Sequence, residues 1–147
     1  MSLATLTTPT YVHSPAIMVV DDEAHCRELV CYALADLGLR HTVFIANTGD
    51  DALRQIAELT AAGNVPQIVL LDLELPGEHG RDILRDMRLK PTLQSMVCII
   101  MTSVDDLHER RLCLELGADD YWVKPNSYGG LLSLMSGLHR WLDKDCN

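Results

Sequence analysis

Three short apolar runs limit the folds open to this chain: AIMVV (16–20), QIVLL (67–71) and MVCIIM (96–101). None shows the apolar–polar alternation of a strand with one wet face. Strands that are apolar on both sides belong inside a parallel sheet whose two faces are covered by helices. Segments of helical period lie between them. Leu29, Val30, Ala33, Leu34 and Leu37 recur on one helical face, and Gly38 follows as a helix-ending glycine would. HTVFIA (41–46) is a second strand, followed by a helix from Gly49 to Ala62 with Ala52, Leu53, Ile56 and Ala57 inward. A helix carrying Ile83, Leu84 and Met87 stops at Pro91, and another covers 105–116 before Gly117. YWVK (121–124) is a short fifth strand. A last helix spans 127–142 with Leu131, Leu134, Met135, Leu138, Trp141 and Leu142, although Gly129, Gly130 and Gly137 weaken its continuity. Five strands alternating with five helices predict an α/β fold, a doubly wound parallel sheet.

The 147 residues suffice for one domain with a proper core. A net charge of −9 weighs against a nucleic-acid surface, which needs clustered Lys and Arg. No apolar run approaches the ~20 residues of a membrane span. Residues 1–15 lack the basic region and apolar stretch of a secretory signal and read as a flexible leader, with or without cloning residues, ahead of a domain over 16–147. Cys26, Cys31, Cys98, Cys113 and Cys146 are odd in number and form no C-x-x-C pair, which favours free thiols in a reducing cytoplasm over a disulfide or zinc framework. His25, His79 and His108 sit in polar contexts and read as surface residues rather than metal ligands.

In an open parallel sheet, ligands bind beyond the carboxyl ends of the strands. Asp21-Asp22-Glu23 follows the first strand, Asp72 the third, Thr102-Ser103 the fourth and Lys124-Pro125 the fifth. The unusual polar residues thus gather at one end. Asp21 and Asp22 would face opposite ways within a strand and converge only where it gives way to a loop. Carboxylates crowded into one pocket repel, so charging them together needs a cation. Carboxylate, carbonyl and water oxygens suit Mg²⁺. A carboxylate nucleophile beside a metal, the Lys124 ammonium and the Thr102 hydroxyl suits phosphoryl transfer. Each feature alone has a plainer reading: Asp21-Asp22-Glu23 as acids at a helix entry, Lys124 as a solvated lysine, Tyr121 as a packing aromatic.

Asp21-Asp22, Asp72, Thr102-Ser103 and Lys124-Pro125, in this order and spacing, resemble the receiver domain of two-component response regulators over roughly residues 16–142. The resemblance implies a flavodoxin-like sheet of order 2-1-3-4-5. It implies that Asp72 accepts a phosphoryl group from a sensor histidine kinase or phosphotransfer protein. Mg²⁺ (or Mn²⁺) would be held by Asp22, by Asp21 largely through water, by Asp72 and by the backbone carbonyl of Glu74. Lys124 and Thr102 would contact phosphoryl oxygens, and Thr102 and Tyr121 would form the switch. Ser103 would keep the site accessible, while Glu74 and Val104 would tune the lifetime of the phosphoryl group. Pro76, Gly77 and Gly80 match the turn that such domains place after the acceptor. The chain ends soon after the fifth helix, so no output domain is expected. A protein target, or a homodimer, would engage the face made by the fourth helix, fifth strand and fifth helix.

Two other functions use similar residues. A haloacid-dehalogenase-like phosphatase also combines Asp, Thr or Ser, Lys and Mg²⁺, but its metal-binding acids follow the lysine, whereas Asp21-Asp22 come first. A receiver fold serving only as a binding module would have no physical need of three mutually repelling acids.

Overall fold

The computed structural model describes residues 16–39 and 42–142. The leader expected over residues 1–15, His41 of the second strand run, and Cys146 lie outside these. The strands are β1 (Ala16–Val20), β2 (Thr42–Ala46), β3 (Ile68–Leu71), β4 (Val97–Thr102) and β5 (Asp120–Val123). They form one parallel sheet in the order β2-β1-β3-β4-β5, the flavodoxin-like order 2-1-3-4-5. Parallel neighbours require crossover connections, and helices supply them: α1 (Ala24–Asp36), α2 (Gly49–Ala61), α3 (Gly80–Arg88), α4 (Leu107–Glu115) and α5 (Tyr128–Met135).

Side chains alternate across each strand, so the sheet divides the interior into two cores. Ile17, Val19, Ile68, Leu70, Ile99 and Trp122 pack with Val30, Leu34, Leu131 and Met135 on the α1–α5 side. Met18, Val20, Val69, Leu71, Ile100 and Tyr121 pack with Ile56, Leu84, Met87 and Cys113 on the α2–α3–α4 side. Both faces of β1 and β3 are therefore dry, as their unbroken apolar sequence requires.

The register aligns the strand ends. Val20 pairs with both Ala46 and Leu71, Leu71 with Ile100, and Thr102 with Val123. The ladder runs one residue further, because the Asp72 amide donates to the Val20 carbonyl at 3.0 Å and the Lys124 amide to the Thr102 carbonyl at 2.7 Å. Asp21 and Asp72 consequently leave adjacent strands side by side.

Three details depart from the sequence reading. The segment 127–142 is not one helix: α5 tightens into a 3₁₀ turn at Ser136–Leu138 before the short α6 (His139–Leu142). Ala57 is exposed rather than inward, because the buried stripe of α2 runs through Ala52 and Ile56 toward Leu59, and Ala57 lies roughly 100° around the helix from Ile56. The Pro76-Gly77 turn closes a two-residue antiparallel ladder, Glu74–Leu75 against Glu78–His79, with Gly77 at φ +76°. His79 then caps α3 from the surface, its Nδ1 accepting from the Arg81 amide at 3.1 Å with 41% of its side chain exposed.

Candidate functional site

Asp21, Asp22, Asp72, Thr102 and Lys124 converge at the carboxyl edge of the sheet. Asp21 is 2% exposed and Asp72 4%, while Asp22 faces solvent beside them. The Lys124 ammonium reaches back from the end of β5 and donates to Asp21 Oδ2 at 2.8 Å and Asp72 Oδ2 at 3.0 Å. Local backbone fixes the other carboxylate oxygens. The Glu23 amide donates to Asp21 Oδ1 at 2.9 Å, and the Glu74 amide donates to Asp72 Oδ1 at 3.2 Å. Each acid is thus aimed by its own loop and charge-compensated by a residue far along the chain.

Thr102, fully buried, ends β4, and its Oγ1 accepts from the Val104 amide at 3.3 Å. Ser103 is exposed and donates to Glu74 Oε1 at 3.0 Å. The Tyr121 ring is buried and its hydroxyl donates to the Val104 carbonyl at 2.6 Å. Arg110 of α4 donates to the Tyr121 carbonyl at 2.9 Å. Val104 is therefore held through its amide by Thr102 and through its carbonyl by Tyr121.

Gly80 shows how tightly the turn after Asp72 is folded. A Cβ there would lie 2.4 Å from the Asp72 carbonyl oxygen and 2.7 Å from the Leu73 Cα. Both are backbone atoms, so only glycine fits.

Two neighbours were not singled out by sequence. Cys26 Sγ lies 3.7 Å from Lys124 Nζ and donates to Glu23 Oε1 at 2.6 Å, and Arg27 donates to the Asp21 carbonyl at 2.8 Å. Both occupy the first turn of α1, three and four residues after Glu23, on the helix face toward the strand end. That spacing was the available clue. Burial, reinforced by the Glu23 hydrogen bond, pushes the Cys26 thiol up to about 11, so it stays protonated.

Burial raises the pKa of Asp21 despite the opposing hydrogen bonds from Lys124 and Glu23. For Lys124, burial disfavours the ammonium, but the hydrogen bonds and charges of Asp21 and Asp72 together outweigh it and hold its pKa above the ordinary value. One carboxylate oxygen from each of Asp21, Asp22 and Asp72 lies within 4.8 Å of the others. Three carboxylates against one ammonium leave two negative charges on a compact set of hard oxygen donors. That donor set fits a small divalent cation.

The sequence pattern of the response regulator receiver domain matches residues 17–136. The chain belongs to this family. A curated relative, the transcriptional regulatory protein AruR of Pseudomonas aeruginosa, is 34% identical over 126 residues, which are 86% of this chain. The chain spans about half the length of AruR, 50% of it. Among solved structures, the receiver is similar to the response regulator receiver domain from Rhodospirillum rubrum, with 28% identity and a TM-score of 0.77 over 87% of this chain and 93% of that one. The fold is also that of the phosphorylated cyanobacterial phytochrome response regulator RcpA, with 24% identity and a TM-score of 0.81 over 90% and 96% of the two chains. A receiver domain is a signalling module of two-component systems. No helix among the described residues is long and apolar enough to cross a membrane.

Proposed function

We propose that Asp72 is the phosphoacceptor of this receiver. The supporting observation is the shared ammonium: Lys124 lies within 3.0 Å of Asp72 and 2.8 Å of Asp21, so it aims the acceptor and offsets the like charge that stands beside it. An Asp72 carboxylate oxygen attacks phosphorus of a phosphohistidine on a sensor histidine kinase or phosphotransfer protein. The new O–P bond forms as the P–N bond breaks, and the imidazole leaves with the electron pair. Asp21, Asp22, Asp72 and the Glu74 carbonyl would hold Mg²⁺ or Mn²⁺, which supplies charge neutralisation at the phosphoryl oxygens. Lys124 pairs with one phosphoryl oxygen. The Thr102 hydroxyl leaves the Val104 amide to bond another, and Tyr121, gripping Val104, carries that shift toward β5 and α4.

The domain catalyses its own phosphorylation and dephosphorylation, with Glu74 and Val104 setting the lifetime of the acyl phosphate and Ser103 the access to it. Output is contact with a protein target, or with a second copy, through the α4–β5–α5 face. Leu107 at 79% exposure, with Leu114 and Val123 also exposed, supports an apolar partner there. Intact-mass measurement with acetyl phosphate tests the acceptor. The parent gains one phosphoryl group only with Mg²⁺ and Asp72→Asn gains none; modification that survives in Asp72→Asn overturns the assignment.

A further inference from the structure

The Asp72 side chain is only 6% exposed, so the groups around its remaining opening bear on how a phosphoryl donor reaches it. One element of that shell is a side-chain bond joining the two loops that flank Asp72, from Ser103 Oγ to Glu74 Oε1 at 3.0 Å. Both ends hang from rigid supports. Ser103 directly follows the fully buried Thr102 at the end of β4. Glu74 sits in the two-residue ladder opposite His79, its amide on Asp72 Oδ1, and the turn is drawn in by the Gly80 amide on the Leu73 carbonyl at 2.8 Å. Since β3 and β4 are neighbours in the sheet, the bond spans the gap between their ends. It fixes a carboxylate two residues along the chain from Asp72, and negative charge near the acceptor repels phosphoryl donors, themselves anions.

We propose that Ser103 is a positioning residue whose hydroxyl latches the Glu74 carboxylate across the mouth of the Asp72 pocket, so that phosphorylation waits on the opening of this bond. This goes beyond a small residue leaving the site accessible, because the Ser103 hydroxyl acts through Glu74. The inference rests on Asp72 being the phosphoacceptor. The reaction that reads it is the attack of an Asp72 oxygen on phosphorus of acetyl phosphate: the O–P bond forms, the P–O bond to acetate breaks, and acetate leaves with the electron pair.

The test is a double-mutant cycle on the full chain, with acetyl phosphate and Mg²⁺, following uptake by intact mass over time. Both side chains are exposed, so neither substitution threatens the core. Ser103→Ala should speed phosphorylation about twofold to tenfold, the range of one net hydrogen bond. That acceleration should vanish in a Glu74→Ala background, because two residues acting as one unit are not additive. An equal acceleration in both backgrounds would mean that Ser103 acts by its size alone, and overturns the latch. So does a Ser103→Ala protein reacting at the parent rate. A parent that takes up no phosphoryl group at all overturns the phosphoacceptor reading itself, a different outcome from either.

Discussion

The Lys124 ammonium stands 3.0 Å from the Asp72 carboxylate, although 52 residues of chain separate them. Because the same ammonium also serves Asp21, removing it strands two buried carboxylates at once. Lys124→Met should therefore cost the metal-free protein about 2–4 kcal/mol of stability, somewhat under the range for breaking a fully buried ion pair. Urea unfolding in the presence of a chelator measures the loss, and millimolar Mg²⁺ should restore part of it. A variant as stable as its parent would mean that the pocket tolerates its acids unaided.

Asp21→Asn should act in the opposite direction. Asp21 has a raised pKa, so charging it opposes folding; the amide removes that charge and keeps one oxygen for Lys124, which outweighs the acceptor it withdraws from the Glu23 amide. Without metal, the variant should melt about 1–3 °C above the parent. The pH dependence has the same origin. Just above the ordinary value of 3.8 the native state holds the proton more tightly than the unfolded chain, so lowering the pH through that window adds stability in the parent. Asp21→Asn should lack this contribution, and it should gain less melting temperature from Mg²⁺ than the parent does. Thermal scans with and without Mg²⁺ check all three.

Tyr121 governs the alkaline side. Burial above all, with nearby acids adding to it, lifts its phenol from 10.0 to about 12. The stability contributed by the neutral ring is complete below pH about 10 and is lost as pH rises toward about 12. Lys124, also raised, loses its contribution in the same direction. Tyr121→Phe cannot ionise, so its stability should fall less steeply than the parent's over that window. Parallel curves from denaturant titrations at several pH values would contradict the burial of this phenol.

Gly80 and Gly129 make a paired test of backbone crowding. Gly80→Ala drives a methyl group into the Asp72 carbonyl and the Leu73 Cα, and should lose about 1–3 kcal/mol while slowing phosphoryl uptake. Gly129→Ala meets nothing within 4 Å on an exposed turn of α5 and should gain up to about 1 kcal/mol. Denaturant unfolding of both variants decides it.

The sheet and its polar edge were legible because each rests on a strong local regularity. Unbroken apolar runs mark strands buried on both faces, and an acid or lysine directly after such a run has few other reasons to be there. What stayed hidden lacked periodicity. The ladder of Glu74–Leu75 with Glu78–His79 is two pairs long, too short to leave a pattern. The Ser103–Glu74 bond joins residues 29 apart, and Cys26 meets Lys124 across 98, distances that only the fold can close. The break in 127–142 was foreshadowed by three glycines, but where the helix tightens depends on packing, with Met135 and Leu138 both buried either side of the change. Ala57 misled because one small apolar residue fits the edge of a stripe as well as its centre.

Tyr121 and Trp122 are joined by one peptide bond, yet they lie in different halves of the molecule, the tyrosine under α4 and the tryptophan against α1 and α5. Strand β5 is thus a membrane between two compartments, with a chromophore on each side. The Trp122 indole is tethered to Asp120 at 3.0 Å, so it has a defined resting environment. Any displacement of Tyr121 that twists β5 would change Trp122 emission from the far compartment, read in a Trp141→Phe background, and a motion confined to the loops would leave that emission unchanged. The protein carries its own reporter for whether a local chemical event has crossed its sheet.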